Sequence, residues 1–371
     1  ALIRFVEHPL LTQLSIENLR NISAASVDLR PGISAFVGPN GAGKTTVLDA
    51  VHVLGTGKPF TSHHSSKVIQ GKSPYFQVVG RLCHGGSESV VGVKRLREGG
   101  GEVRLAGKSV KTLSTLAHEL PLILINANTL DVLREGPEAR RKLVDQLVFH
   151  VEHSFVGVWQ RYYQVLKQRN ALLRKGAVDD DAAWVAELAV LGEQFYHSRV
   201  RATDLLTAQL LSVLEEMKVD FPSLRLALRS GWKDGVSLAV ALELNRSSDM
   251  DRGYTQVGPH RGDLTCFVSG GLANDVLSRG QMKVLMSAIR IAQGRVLKET
   301  TRRAPIYLLD DVGAELDAAN AQAIFSVLAA EKSQVLATMV ALTDTAQGLK
   351  RYVNDVFHVE QGVLTSANKM A

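Results

Sequence analysis

The octet GPNGAGKT, Gly38 to Thr45, restricts what this chain can fold into more than any other segment. It matches G-x-x-x-x-G-K-[ST] at each defined position. It follows the apolar run ISAFV and precedes TTVLDAVHVLGTG, a helical pattern closed by Gly55 or Gly57. Strand, glycine loop and helix in that order are the context the motif requires. Gly38, Gly41 and Gly43 permit backbone angles that turn successive N–H groups onto an anion, with Pro39, Asn40 and Ala42 completing the loop. Lys44 then reaches the β- and γ-phosphates of a nucleoside triphosphate, Thr45 offers a hydroxyl to Mg²⁺, and Thr46 stands beside it at the helix start. A glycine-rich turn with a chance lysine would lack the flanking strand and helix.

A phosphate loop needs a second anchor for its metal, and IYLLDD, Ile306 to Asp311, supplies one. Its apolar residues read as a buried strand. Asp310 emerges at the carboxyl end, where ligands bind in α/β sheets. The spacing makes Asp310 the candidate for holding Mg²⁺ and Asp311 the candidate for polarising an attacking water, with helix capping as the structural alternative for Asp311.

The rest divides by pattern into three segments. Residues 1–135 carry QLSIENL, which alternates as an edge strand would, and FQVVGRLCHG, SVVGVKRLR and GEVRLAG, which read as a meander. PLILIN reads as a further buried strand. Residues 136–250 read helical and suggest an αα-hairpin or short coiled-coil arm, with an acidic loop at Val178–Asp181. Residues 251–371 return to alternating strands and helices. Net charge is +6 and the pI about 9.3, a balance that favours polyanionic partners. Two cysteines without metal-ligand spacing, no signal-like N-terminus and no membrane-length apolar run lead to the expectation of a reducing, cytoplasmic compartment and no membrane partner. His63 and His64 have no third ligand nearby in sequence.

VLSRGQMKVLMSAIRIA, Val276 to Ala292, raises a separate question, because a helix is expected from Met282 onward with Ser278 and Gly280 at its start. That is the chemistry of an anion-binding helix terminus, far in sequence from the phosphate loop. LSRGQ, Leu277 to Gln281, resembles the L-S-x-G-[GQ] signature of ABC-type ATPases. In that family the signature of one subunit meets the γ-phosphate held by another. AELD, Ala314 to Asp317, resembles the loop that spans such an interface. The resemblance implies a composite site in which Ser278, Gly280 and Gln281 contact a nucleotide held by a second copy, in an ATP-dependent homodimer. An ordinary serine-capped core helix is the plainer reading.

The likeness narrows with ENLRN (Glu17 to Asn21), KQRNALLR (Lys167 to Arg174), GPHRGDL (Gly258 to Leu264) and LLDDVGAELD, which keep their order along nearly the whole chain. Together they resemble the RecF family of bacterial recombination mediator ATPases. The resemblance implies an α/β fold: an ABC-type ATPase head with a P-loop α/β core and an antiparallel β subdomain, plus a helical arm or lid domain. It further implies ATP and Mg²⁺ as cofactors, weak ATP hydrolysis, binding to double-stranded DNA and single-strand/double-strand junctions near gaps, contact with a RecR-type mediator protein, and help in loading recombinase. Arg20 and Asn21, at the end of the first strand, are expected either to flank the adenine or phosphates or simply to terminate the strand. Asn126 or Asn128 is left for the lid-side contact. Transporter relatives carry glutamate at the position of Asp311 and a switch histidine on the strand that here reads QVLATMVAL. Thr338 is the polar candidate there, and the combination implies slow turnover.

Arg140, Arg141, Lys167, Arg169 and Arg174 are the expected DNA contacts, suited to phosphates rather than bases. A solvated helix face is the bland alternative for each. His260 and Arg261 are expected near the nucleotide or in a structural role, and Trp159, Tyr162 and Tyr163 in arm packing. Three other classes compete: an SMC-like switch with a protein client, a transporter ATPase subunit, and a small-molecule P-loop kinase.

Overall fold

A computed structural model of the 371-residue chain describes residues 10–62, 64–110, 112–152, 154–176, 181–341 and 347–367. His63 and most of the acidic loop, 178–180, lie outside the described residues. The first half runs β1 (Leu10–Leu19), β2 (Ile22–Asp28), β3 (Ile33–Val37), α1 (Lys44–Thr56), β4 (Tyr75–His84), β5 (Ser87–Leu96), β6 (Gly101–Leu105), β7 (Lys108–Ser109), α2 (Leu113–Glu119), β8 (Leu122–Ile125), α3 (Ala127–Leu130), α4 (Pro137–Val151) and α5 (Phe155–Lys175). The second half runs α6 (Ala182–Met217), β9 (Arg225–Arg229), α7 (Leu238–Leu244), α8 (Arg246–Arg252), β10 (Asp263–Val268), β11 (Gly271–Leu272), α9 (Ala273–Val276), α10 (Arg279–Thr301), β12 (Ile306–Leu309), α11 (Val312–Glu315), α12 (Ala318–Ala330), β13 (Val335–Met339), α13 (Gln347–Lys350), β14 (Val353–Glu360) and β15 (Val363–Ser366).

The chain forms two compact units: Ala1–Leu130 with Ser212–Val219 and Lys283–Ala371, and Asp131–Leu211 with Asp220–Met282. The first holds two six-stranded sheets. One is antiparallel, in the order β2-β1-β4-β5-β6-β7. The other has the order β15-β14-β3-β13-β12-β8 and is parallel except for the terminal hairpin strand β15. Helix α1 is apolar nearly all round and is buried accordingly. Its Val47, Leu48 and Val51 share one core with Phe76 and Val78 of the antiparallel sheet and Leu308 and Leu336 of the parallel one. The helix closes at Gly57, where φ is +78°.

The meander is present as β4, β5 and β6, but QLSIENL is not an edge: β1 pairs with β2 on one side and β4 on the other. Alternation reports that one face is buried and is silent about hydrogen-bonding neighbours. Residues 251–282, expected with the ATPase core, fall instead in the helix-rich unit. The physical cause is pairing. β10 is antiparallel to β9, and Asp263 at its start accepts both Nε and Nη2 of Arg140 from α4 at 2.8 Å.

GPHRGDL proves to be the packing hub of this second unit. The Tyr162 hydroxyl lies 2.7 Å from Nδ1 of His260, whose Nε2 is 3.1 Å from the carbonyl of Thr255. Burial pushes the His260 pKa down to about 4, with smaller contributions from Arg261, Arg141 and Arg199, so the ring is neutral at physiological pH. Arg199, itself buried, donates to the Pro259 carbonyl (2.6 Å) and clamps Asp145 through two nitrogens (2.7 and 2.9 Å). Arg141 donates to the Gly262 carbonyl at 2.8 Å.

The expected DNA role of Arg169 is overturned. Its side chain is 0% exposed, and its guanidinium is committed to Asp181 (3.2 Å), Asp249 (2.7 Å) and the Thr255 hydroxyl (2.7 Å). Arg140 is likewise drawn inward, onto Asp263 and backbone carbonyls, while Arg141 commits one guanidinium nitrogen to the Gly262 carbonyl. Lys167 and Arg174 remain exposed. Breaking a buried ion pair strands its partner charges, at about 3–5 kcal/mol. Arg169→Ala is therefore expected to lower unfolding stability by about that amount in denaturant titrations, whereas Lys167→Ala should shift it by less than about 0.5 kcal/mol.

Candidate nucleotide site

Strand β13 lies between β3 and β12 and is parallel to both, so three strands end side by side at the carboxyl edge of the sheet. The glycine-rich loop leaves β3, Asp310 follows β12, and Thr338 is the penultimate residue of β13. The position of Asp310 at a strand's carboxyl end is the one expected from sequence.

Backbone sterics dictate the loop's composition. A Cβ on Gly38 would lie 2.1 Å from the Val359 carbonyl, and Gly43 has φ +114° with the Asn21 side chain 2.9 Å from where a Cβ would be. Asn21 acts as a brace: its Nδ2 donates to the Gly41 carbonyl (3.2 Å) and its Oδ1 accepts from the Thr46 hydroxyl (2.9 Å). Gly362 N–H holds the loop from the other side through the Ala42 carbonyl at 2.8 Å. Lys44 is buried within its own loop and donates to the carbonyls of Gly38 (2.7 Å) and Pro39 (2.9 Å). Arg20 turns toward Asp49 of α1 (3.3 Å), a fully buried carboxylate that also accepts the N–H groups of Phe60 and Thr61.

The two aspartates behave differently. Oδ1 of Asp310 accepts the Thr45 hydroxyl at 3.0 Å and the Thr338 hydroxyl at 2.7 Å. Burial raises its pKa; these two hydrogen bonds oppose the shift, and the nearby charges of Asp311 and Asp49 add to it. A carboxylate and a hydroxyl at this spacing are hard oxygen donors of the kind Mg²⁺ prefers, and a divalent cation would remove the penalty that burial places on the ionised acid. Asp311 adopts φ +54°, ψ +49° ahead of α11, and its N–H donates to the Thr338 hydroxyl at 2.7 Å. It stands at the N-cap position of α11, yet its carboxylate makes no capping bond. Thr338 thus serves both acids at once, a role that its place on the switch strand hinted at without specifying.

Helix α10 begins at Arg279, a turn earlier than the apolar pattern suggested. Ser278 and Gln281 form a capping box: Gln281 N–H donates to the Ser278 hydroxyl (3.2 Å) and Ser278 N–H to the Gln281 side-chain oxygen (3.0 Å). S-x-x-Q is the sequence form of this box. Ser278, Arg279, Gly280 and Gln281 are all exposed, so this is a solvent-facing terminus rather than a core one. In AELD, Asp317 caps α12 by accepting from Asn320 N–H at 2.8 Å, and Glu315 pairs with Lys283 of α10 at 2.8 Å. Asn126 is buried and exchanges hydrogen bonds with Thr129 at the start of α3, which leaves Asn128 as the exposed one of the two lid-side candidates. Among the described residues no helix is long and apolar enough to cross a membrane, and no group of three or more His, Cys, Asp or Glu side chains is placed to hold a metal ion.

Comparison with known proteins places this geometry. Residues 10–365 match the family described as RecF/RecN/SMC N terminal domain. A DNA replication and repair protein RecF from Shewanella denitrificans is 39% identical over 96% of this chain and 99% of its own length. One from Shewanella halifaxensis is 36% identical over 97% and 98%. Among solved structures, the recombination mediator protein RecF-ATP in the RecFOR pathway superposes with TM-score 0.84 at 22% identity, covering 99% of this chain and 100% of that one. An Smc head domain from Pyrococcus furiosus, bound to the C-terminal domain of ScpA, gives TM-score 0.57 at 17% identity over 97% and 96%. The fold is that of an ABC-type ATPase head of the α/β class, and the chain belongs to the RecF family of DNA replication and repair proteins.

Proposed function

We propose that the chain is an ATP-switched, DNA-binding recombination mediator: it dimerises on ATP, binds duplex DNA near single-strand gaps with a RecR-type partner, and hydrolyses ATP slowly. The observation that carries this reading is the convergence of Thr45, Thr338, Asp310 and Asp311 at the mouth of the phosphate loop. In it the N–H groups of residues 40–46 and Lys44 bind the triphosphate, Lys44 exchanging its carbonyl partners for phosphate oxygens. Thr45 and Asp310 would hold Mg²⁺, which when bound neutralises charge between the β- and γ-phosphates. Asp311, with a carboxylate not used in capping, orients the water that attacks the γ-phosphorus as the bond to the bridging oxygen breaks. Asn21 acts as a loop brace, and Arg20, held by Asp49, flanks the site from its half-exposed position.

The dimer reading rests on the tip of α10. A Cβ on Gly280 would meet nothing within 4 Å among the described residues, so the chain's own packing does not demand glycine there. Close approach of an outside phosphate does, and the capped helix start offers N–H groups and the favourable end of a helix dipole to it. Kinase chemistry on small molecules would have no use for this exposed terminus.

Of the expected contacts, Lys167 and Arg174 on α5 are the exposed cations that would meet DNA, while Arg140 and Arg169 are held in internal ion pairs. Three outcomes check the reading. Ser278→Arg should abolish ATP-dependent dimerisation in size-exclusion chromatography while ATP still binds the monomer; a normal dimer would refute the shared site. Asp310→Asn retains an oxygen for both threonine hydroxyls but removes the charge. The folded-state pKa of Asp310 lies above its unfolded value, so ionisation costs the native state stability, a cost that grows as pH rises from the unfolded pKa through the folded one. Nucleotide-free Asp310→Asn should therefore melt no lower than wild type in calorimetry, and hydrolysis should be lost. Replacing Lys167 and Arg174 together by Ala should weaken duplex binding and lower the slope of log K against log salt by about 2 in fluorescence titrations, without affecting ATP binding.

A further inference from the structure

Helix α11 is a single turn held at both ends. At its start, Asp311 is pinned in a left-handed backbone conformation (φ +54°) by its N–H to the Thr338 hydroxyl. The N–H groups of Ala314 and Glu315 return to the Asp311 carbonyl at 3.0 and 3.2 Å. At its end, the Glu315 carboxylate meets Nζ of Lys283 at 2.8 Å, with the two side chains only 19% and 27% exposed. Lys283 belongs to α10, the continuous helix Arg279–Thr301 whose exposed first turn is capped by Ser278 and Gln281. At 1.5 Å per residue, roughly 7.5 Å of helix separates Ser278 from Lys283.

From this arrangement we infer that Lys283 is a positioning residue: the Lys283–Glu315 ion pair couples what engages the Ser278 helix tip to the placement of the Asp311 carboxylate. The inference rests on the ATPase reading above and specifies how its second half would be controlled. A helix moves nearly as a rigid rod, so a phosphate drawn onto its tip shifts Lys283 with it. One turn of α11 offers little slack between the ion pair and Asp311. Because the pair is mostly enclosed, it is screened less than a surface pair and can transmit such a displacement. Asp311 carries no capping bond that would hold its side chain against the change. In the uncoupled arrangement, ATP would still bind through the phosphate loop and the two copies would still associate. The attacking water would be misoriented, and a displacement of about 1 Å can cost as much as a hundredfold in rate.

The test uses the full chain with ATP, Mg²⁺ and duplex DNA, comparing wild type, Lys283→Met, Glu315→Gln and the charge-exchanged pair Lys283→Glu with Glu315→Lys. Wild type must first dimerise on ATP and turn it over; failure there sinks the functional reading and this inference with it. Given that control, Lys283→Met and Glu315→Gln are each expected to lower kcat about ten- to a hundredfold with KM for ATP and the ATP-dependent dimer unchanged. The charge-exchanged pair should recover most of the loss, as a directly coupled pair does. Wild-type turnover in Lys283→Met overturns the inference alone. A loss of ATP binding or of melting temperature that parallels the loss of rate also overturns it, by showing the ion pair to be only structural.

Discussion

Strand β13 lies between β3 and β12, and that adjacency brings Thr45 and Thr338 each within hydrogen-bond reach of Asp310. The chemistry of the molecule depends on it. A parallel sheet delivers its strand ends to one edge, and here three of them supply a glycine-rich loop, a partly enclosed acid and a hydroxyl that links that acid to the backbone of the next residue. The raised pKa of Asp310 is the physical signature of the arrangement: a carboxylate is held in a partly enclosed site at a cost that a divalent cation would relieve. Stability has been conceded where a ligand can restore it.

The second unit follows a different economy of charge. Arg140, Arg141, Arg169 and Arg199 are spent inside it, on Asp263, Asp145, Asp181, Asp249 and the carbonyls of the GPHRGDL loop. A motif that reads as functional because its residues are polar and distinctive turns out to hold helices and a three-stranded sheet together. Pairing of arginine with aspartate leaves the net charge of +6 for the whole chain unchanged, but the cations left at this unit's surface are fewer than the sequence suggests.

What could be read from the sequence follows from how local each determinant is. The phosphate loop was legible because strand, glycines, lysine and helix are contiguous, and Asp310 because a short apolar strand ending in an acid has few other meanings. The helices of the arm and the meander of β4, β5 and β6 followed from period alone. Distant partners decided the rest. Nothing local shows that β1 is interior, that Asn21 braces Gly41, or that the Arg169 guanidinium is enclosed by acids 12 and 80 residues away. Arg169 and Lys167 lie two residues apart on one helix, and only burial tells them apart. The capping box at Ser278 is a local determinant too, carried by a serine that also fits the ATPase signature.

The central claim is that each nucleotide is shared between two copies, gripped by the phosphate loop of one and the α10 tip of the other. Mixing two inactive proteins tests it most directly. Lys44→Met has a damaged loop and an intact tip; Ser278→Arg has the reverse. If the site is composite, an equimolar mixture forms heterodimers with one complete site each, and ATP hydrolysis reappears although neither variant hydrolyses alone. A mixture as inactive as its two components would contradict the account, because it would place loop and tip in the service of the same chain.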